Sequence, residues 1–115
     1  MGAGVRPATV EGFLDSLSLI FQKDRSKGIN ATYHFTFIGA EEITGTVDIR
    51  NMKLEVKKGL VGKPNISITA DTKTWLAFLA KEKNLILALL QRKIKIKGSP
   101  TLMKNFVRVN PELSG

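Results

Sequence analysis

The chain has 115 residues, enough for one domain and too few for two, and 43% of them are hydrophobic, as in a soluble globular protein. The absence of cysteine excludes disulfides, iron–sulfur clusters, thiol nucleophiles and zinc–thiolate sites. A formal net charge of +8 favours contact with anions such as acidic membranes, nucleic acids or ligands with an anionic head group. We expect a flexible tail over residues 1–8 and a single domain over residues 9–115.

The first predicted element is an amphipathic helix. Apolar residues recur at offsets of three and four from Val10 to Phe21, which places them in one stripe along a helix. Thr9 is suited to cap the N-terminus of this helix. The charged run over residues 22–27 and the following Gly28 predict its end.

The apolar period then falls to two, which predicts four β-strands over residues 29–37, 43–50, 52–57 and 66–70. Glycines, lysines and a proline over residues 58–64 predict a loop before the fourth strand. Because each strand alternates apolar and polar residues, we expect consecutive antiparallel strands with one apolar face and one solvated face.

Two short helices with very apolar sequences follow the fourth strand. The first carries Trp75 and Phe78, and either Asp71 or Thr72 is suited to cap it. The second begins after Asn84, a further capping residue. It is apolar almost all round, which is typical of a buried helix.

A fifth strand and a last helix complete the pattern. Ile94 and Ile96 alternate with lysines, which predicts the strand. Ser99 and Pro100 suit the N-cap and the first position of the last helix, and Pro111 ends it. The segregated strands and helices predict an α+β fold, a five-stranded and mainly antiparallel sheet with helices packed on one face.

Residues that support catalysis or metal binding are sparse. His34 is the only histidine, and we expect it to be an exposed residue on the polar face of the first strand. Glu41 and Glu42 are adjacent in a turn, where their side chains diverge and do not form a general acid–base pair. No cluster has the spacing of a metal site, and no phosphate-binding loop is present. We therefore expect no enzymatic activity, no metal and no cofactor.

The lysines of the predicted strands suggest a nucleic-acid surface as one interpretation. A platform for single-stranded nucleic acid interleaves aromatic residues with basic ones. Here Tyr33, Phe35 and Phe37 fall on the apolar face, opposite the lysines. We expect no nucleic-acid partner.

The predicted helices carry more apolar side chains than a thin two-layer core requires. Close packing leaves no gap in a core, whereas a ligand tunnel uses surplus apolar residues as its wall. For any single residue an ordinary place in the core remains an alternative. The predicted tunnel wall consists of Phe35, Ile49, Trp75, Phe78, Leu79, Leu87, Leu90, Met103, Phe106 and Val107.

The order and spacing of these segments resemble the sterol carrier protein type two domain, a family of lipid carriers. The resemblance extends from about Ile29 to Phe106. Its segments are Asn-Ile-Ser-Ile-Thr-Ala-Asp over residues 65–71, Trp75-Leu76, the apolar helix over residues 85–92, Ile-Lys-Ile-Lys-Gly over residues 94–98, and Leu102-Met103. The chain departs from the family over residues 81–84, where the proline usual between the two short helices is absent.

The resemblance implies a sheet covered by helices around a hydrophobic tunnel. It also implies non-enzymatic binding or carriage of a fatty acid, fatty acyl-CoA, sterol or phospholipid, and the positive charge adds transient contact with an anionic membrane. Two alternatives stay open. One is an accessory domain that presents hydrophobic substrate to a partner enzyme, and the other is a ligand-free interaction or dimerisation module. The sequence has no signal peptide, membrane-spanning segment or peroxisomal C-terminal signal, so we expect a cytoplasmic location.

Overall fold

The computed structural model describes residues 8–80 and 85–109, with all of their side chains except those of residues 85, 86 and 107. Within these residues the helices and strands follow the predicted order, and one 3₁₀ helix is added after the first α-helix. The predicted cap at Asn84, the helix end at Pro111 and most of the predicted tail lie outside the described residues. The helices are α1 (Val10–Ile20), the 3₁₀ helix (Lys23–Ser26), α2 (Thr72–Leu79), α3 (Leu85–Leu90) and α4 (Pro100–Val109), and the strands are β1 (Ala31–Ile38), β2 (Ile43–Arg50), β3 (Lys53–Lys58), β4 (Ile66–Asp71) and β5 (Ile94–Gly98).

The five strands form one sheet in the order β3-β2-β1-β4-β5. Three of its four strand pairs are antiparallel, which confirms the predicted α+β fold with a mainly antiparallel sheet. The prediction that the first four strands are antiparallel neighbours in chain order is wrong, because β4 lies beside β1 and runs parallel to it. A parallel neighbour requires a crossover connection, and residues 59–65 supply it.

This crossover covers part of the polar face of the sheet. The Thr46 hydroxyl donates to the Gly59 carbonyl at 2.7 Å and accepts from the Val61 N–H at 2.8 Å. The His34 Nε2 lies 2.9 Å from the Val61 carbonyl oxygen, so this nitrogen is the donor. His34 is therefore only 8% exposed, and the expectation of an exposed histidine is wrong.

The opposite face of the sheet carries the core. The predicted stripe of α1 is confirmed, and its buried residues are Val10, Phe13, Leu14, Leu17 and Ile20. Thr9 caps this helix, since its hydroxyl accepts from the Gly12 N–H at 2.9 Å. Gly45, opposite Phe35 in the sheet, permits the close approach of α1, because a Cβ atom there would lie 2.9 Å from Leu14 Cδ1.

Of the helices within residues 8–80 and 85–109, none is both long enough and apolar enough to cross a bilayer.

Candidate functional site

The turn between β1 and β2 anchors the starts of two helices. The Glu41 carboxylate accepts from the Val10 N–H at 3.1 Å, at the N-terminus of α1, where a negative charge is favourable. The Thr72 hydroxyl, in the first residue of α2, lies 2.8 Å from the carbonyl oxygens of both Ile38 and Glu41 and accepts from the Glu41 N–H at 3.2 Å. These contacts bring α1 and α2 together above the sheet.

Asp71 caps α2, one of the two residues that the sequence suggested. Its carboxylate accepts from the Thr74 N–H at 3.1 Å and from the Thr74 hydroxyl at 3.0 Å. The cap holds the first turn of α2 so that Trp75 and Leu79 are buried in the core.

Aromatic rings from the helices and from β1 meet in the core. Phe13 lies at their centre, with its ring centroid 5.4 Å from that of Trp75 and 5.8 Å from that of Phe35. The Phe35 ring in turn lies 5.3 Å from that of Phe106. We call this group the aromatic cluster; it comprises Phe13, Tyr33, Phe35, Phe37, Trp75, Phe78 and Phe106.

The aromatic cluster contains four of the residues predicted for the tunnel wall, but Phe13, Tyr33 and Phe37 were not among the predicted residues. Their signal was visible in the sequence, since Phe13 belongs to the apolar stripe of α1 and the other two belong to the apolar side of the first strand. The predicted wall comes mainly from the later helices and contains no residue of α1. In the structure, α1 places a ring at the centre of the core.

The predicted wall residues differ in their burial. Six of them are buried: Phe35, Ile49, Trp75, Leu79, Met103 and Phe106. Phe78 is half-buried against the core. Leu87 and Leu90, on α3, are 55% and 73% exposed, so the expectation that they point at the sheet is wrong. The side chain of Val107 lies outside the described part of the chain.

The position of α3 at the edge of the sheet explains the exposure of Leu87 and Leu90. α3 contacts β5, the edge strand, and among its described side chains Ala88 is buried and Leu89 is partly buried against the core. A helix at an edge buries one side only. The leucines on its other side remain in contact with water.

Tyr33 connects the sheet to α4. Its hydroxyl donates to the Leu102 carbonyl at 2.8 Å, and its ring centroid lies 5.2 Å from that of Phe106. Burial disfavours the charged phenolate and raises the pKa of Tyr33 to about 12.

The buried side chains of the core are mostly apolar, and few of them are polar. No acid, lysine or arginine belongs to the buried side chains between residues 8 and 80 or 85 and 109. Within the same ranges, no group of three histidine or acidic side chains is arranged to hold a metal ion. The Trp75 indole N–H is buried and has no hydrogen-bond partner among the described residues. The described interior is therefore apolar and contains one hydrogen-bond donor without a partner.

Some of the cavities of the molecule are lined by described residues, and two of them bear on the predicted tunnel. One, of about 170 Å³, lies between α1 and the β2–β3 edge and is lined in part by Leu14, Ile43 and Val56; most small-molecule pockets are larger, roughly 300–1,000 Å³. The other, of about 370 Å³, is lined by Arg25, Lys27 and Arg108. Neither is an apolar tunnel of lipid size, so the tunnel remains a prediction.

The comparison with protein families agrees with this architecture. A family model described as the SCP-2 sterol transfer family matches residues 16–110, which is most of the chain. The chain belongs to this family. Among curated proteins, none matches the chain by sequence.

Solved structures of the SCP-2 fold superpose on the chain. The sterol carrier protein 2-like 2 of Aedes aegypti is 21% identical, with a TM-score of 0.63, and the match covers 87% of this chain and 94% of that one. The sterol carrier protein domain 2 of Helicoverpa armigera is 20% identical, with a TM-score of 0.70 and coverages of 92% and 88%. The stereoselective inverting sec-alkylsulfatase Pisa1 of Pseudomonas sp. is 21% identical, with a TM-score of 0.75. The match covers 89% of this chain but only 16% of that alkylsulfatase.

Proposed function

We propose that this SCP-2 family domain binds a hydrophobic lipid between its helices and its sheet and carries it without catalysis. The ligand class comprises fatty acids, fatty acyl-CoA, sterols and phospholipids. The observation that carries the proposal is the exposure of Leu87 and Leu90 on α3, next to an interior without buried acid, lysine or arginine among the described side chains. Exposed apolar side chains on a short helix are available to cover a bound chain of methylenes.

Desolvation drives binding in this proposal. Each buried methylene contributes about 0.8 kcal/mol before the costs of association are subtracted. The rings of the aromatic cluster contact one another in the structure, so the ligand gains its space when α3 and α4 move relative to the sheet. Met103, an unbranched buried residue of α4, can repack against ligands of different shape.

An acidic membrane is the proposed donor and acceptor of the lipid. Arg92 and Lys93 follow α3 after Gln91, and both are exposed. Basic residues next to exposed apolar ones suit a surface of anionic lipid head groups. We place this exchange in the cytoplasm, since a chain without cysteine suits a reducing compartment.

A second candidate function is that of an accessory domain that presents apolar substrate to a partner enzyme. The observation that favours it is the likeness to a segment that makes up 16% of the alkylsulfatase Pisa1. The same lipid-binding interior serves either function. A catalytic domain encoded in the same gene or in a neighbouring gene would favour the accessory function over lipid carriage.

The test uses a fluorescent fatty acid as the acceptor of energy transfer from Trp75, the only tryptophan. The delipidated protein is titrated, and unlabelled fatty acid, fatty acyl-CoA, sterol and phospholipid compete in turn. Leu87→Asp is expected to weaken binding at least tenfold, because a charge replaces apolar contact with the lipid. Leu19→Asp on α1 is the matched control, since Leu19 is 85% exposed and lies on another helix.

Both substitutions replace an exposed leucine, so each is expected to change the free energy of unfolding by only about 0.5 kcal/mol. Equal affinities of the two variants and the wild type would remove α3 from the site. Absence of saturable transfer in folded, delipidated protein would refute lipid binding and favour a ligand-free interaction module.

A further inference from the structure

The indole N–H of Trp75 is an unusual feature of the core. Trp75 has no exposed surface, and its Nε1 has no hydrogen-bond partner among the described residues. Buried tryptophans usually direct this group to an acceptor, and native proteins contain few unpaired buried donors. The other aromatic polar group of the cluster, the Tyr33 hydroxyl, does have an acceptor in Leu102.

The surroundings of Trp75 are apolar rings. The centroids of Phe13 and Phe78 each lie 5.4 Å from that of Trp75, and those of Phe35 and Phe37 lie 5.7 Å and 5.8 Å away. A group that pairs with the indole N–H must therefore enter from outside these rings. It must also be an acceptor, since the indole nitrogen only donates.

We propose that Trp75 is the polar anchor of the ligand site, and that its N–H donates to a neutral oxygen at the buried end of the lipid. This inference rests on the proposed lipid binding and specifies the ligand and its orientation. The oxygen belongs to a hydroxyl or a carbonyl group, as in a sterol, a long-chain alcohol or a ketone. A lipid of this class enters with its oxygenated end first.

The oxygen is neutral because the interior has nothing to balance a charge. None of the buried described side chains is a lysine or an arginine. A carboxylate buried against phenyl rings lacks a counter-charge, and burial of an unpaired charge is far more costly than burial of a hydroxyl. A fatty acid in this site therefore keeps its carboxylate at the surface and leaves the N–H unpaired.

The experiment uses ligands that differ only in their oxygen: cholestanol with cholestane, and octadecanol with octadecane. Delipidated, isotope-labelled protein is titrated with each, and the nitrogen–proton NMR spectrum reports the single indole resonance, since the chain has one tryptophan. In at least one pair, the oxygenated ligand is expected to shift the indole proton downfield and to bind on the order of tenfold tighter than its hydrocarbon. The hydrocarbon is expected to leave the proton without a hydrogen-bond shift.

Trp75→Phe keeps an aromatic ring and removes the donor, so it is expected to abolish the preference for the oxygenated ligand. Tyr33→Phe is the matched control, because it removes a hydroxyl of the same cluster that already has a partner, and it is expected to retain the preference. The spectrum of the wild-type protein tests the proposal even if a variant fails to fold.

Equal affinities within both pairs, with an unmoved indole resonance, would overturn the anchor while lipid binding stands. The anchor would also be overturned if the indole resonance of the delipidated protein already shows a hydrogen bond and does not change on titration. A buried water would then be the partner of the indole N–H. If neither these ligands nor the fluorescent fatty acid binds, the proposed function falls together with the anchor.

Discussion

At the scale of single residues, two buried polar side chains, Tyr33 and His34, are paired with backbone groups far away in sequence. The Tyr33 hydroxyl reaches the Leu102 carbonyl on α4, and the His34 ring reaches Val61 in the crossover. Each pairing removes most of the cost of burying a polar atom. Each also ties a strand of the sheet to another part of the chain.

Tyr33 makes the stability depend on pH in the alkaline range. The pKa is about 12 in the folded protein against 10.0 for an ordinary tyrosine. The unfolded chain therefore loses this proton from pH 10 upward while the folded protein keeps it. The contribution of Tyr33 is complete below pH 10 and is lost as the pH rises from 10 to about 12. Because Tyr33 is the only tyrosine, tyrosinate absorbance measures its ionisation directly.

The matched variant for this prediction is Tyr33→Phe. The measured quantity is the difference in unfolding free energy between wild type and variant as the pH rises, because effects of pH on the rest of the chain are common to both proteins. We expect the variant to be less stable by about 1 kcal/mol near neutral pH, through loss of the hydrogen bond to Leu102. The stability of the wild type relative to the variant should fall between pH 10 and 12, because only the wild type has this phenol to ionise. Ionisation of Tyr33 near pH 10 in the folded protein would contradict its burial.

At the scale of elements, the short turn between β1 and β2 positions the helices that hold the aromatic cluster. Glu41 binds the N-terminus of α1, and Thr72 connects the start of α2 to both sides of the turn. Phe13 lies one turn into α1 and Trp75 one turn into α2. The contact between these two rings therefore depends on polar bonds at the helix starts.

Thr72→Val tests this role with little change of shape. The substitution removes the hydroxyl that forms hydrogen bonds with the Ile38 carbonyl and with the Glu41 backbone. These partly buried backbone groups then lose a hydrogen-bond partner. We expect a loss of about 1–3 kcal/mol in the free energy of unfolding, measured by urea denaturation. Thr36→Val is the control, at a half-buried threonine of β1 whose hydroxyl makes no hydrogen bond with the described residues. Equal losses in the two variants would show that the turn does not hold α2.

At the scale of the whole molecule, charge and exposed apolar surface occur together at one edge of the sheet. α3 lies on β5, and Leu87, Leu90, Arg92 and Lys93 are exposed. β3 forms the opposite edge. In the proposed membrane contact, the net charge of +8 attracts the protein to an acidic surface, and Leu87 and Leu90 select the edge that touches it.

Vesicle binding distinguishes the two edges. We expect the protein to sediment with acidic vesicles and not with neutral ones, and to dissociate as salt screens the attraction. The double substitution Arg92→Glu with Lys93→Glu should weaken binding about tenfold or more. Lys53→Glu with Lys58→Glu changes the net charge equally at the β3 edge and should weaken it less. Equal effects would mean that net charge alone governs the contact.

Short-range patterns in the sequence predicted the elements and their ends. The stripe of α1, the caps at Thr9 and Asp71 and the start of α4 at Pro100 all depend on residues within one or two turns of each other. The apolar side of each strand was predictable for the same reason, because the alternation of side chains is a property of the strand itself. Together with the family resemblance, these patterns were sufficient for the fold class and for the burial of six residues of the predicted wall.

Only the tertiary structure decided which strands are neighbours and what covers each face. The energy of strand pairing comes from segments far apart in the chain, so the local pattern of β4 is the same whether it lies beside β3 or beside β1. The crossover that takes β4 to β1 also buries His34, whose polar surroundings in the sequence indicated exposure. For α3, an apolar sequence gave no sign of its place at an edge, where only one side of a helix has protein to pack against. The unpaired indole of Trp75 likewise follows from which side chains surround it in space.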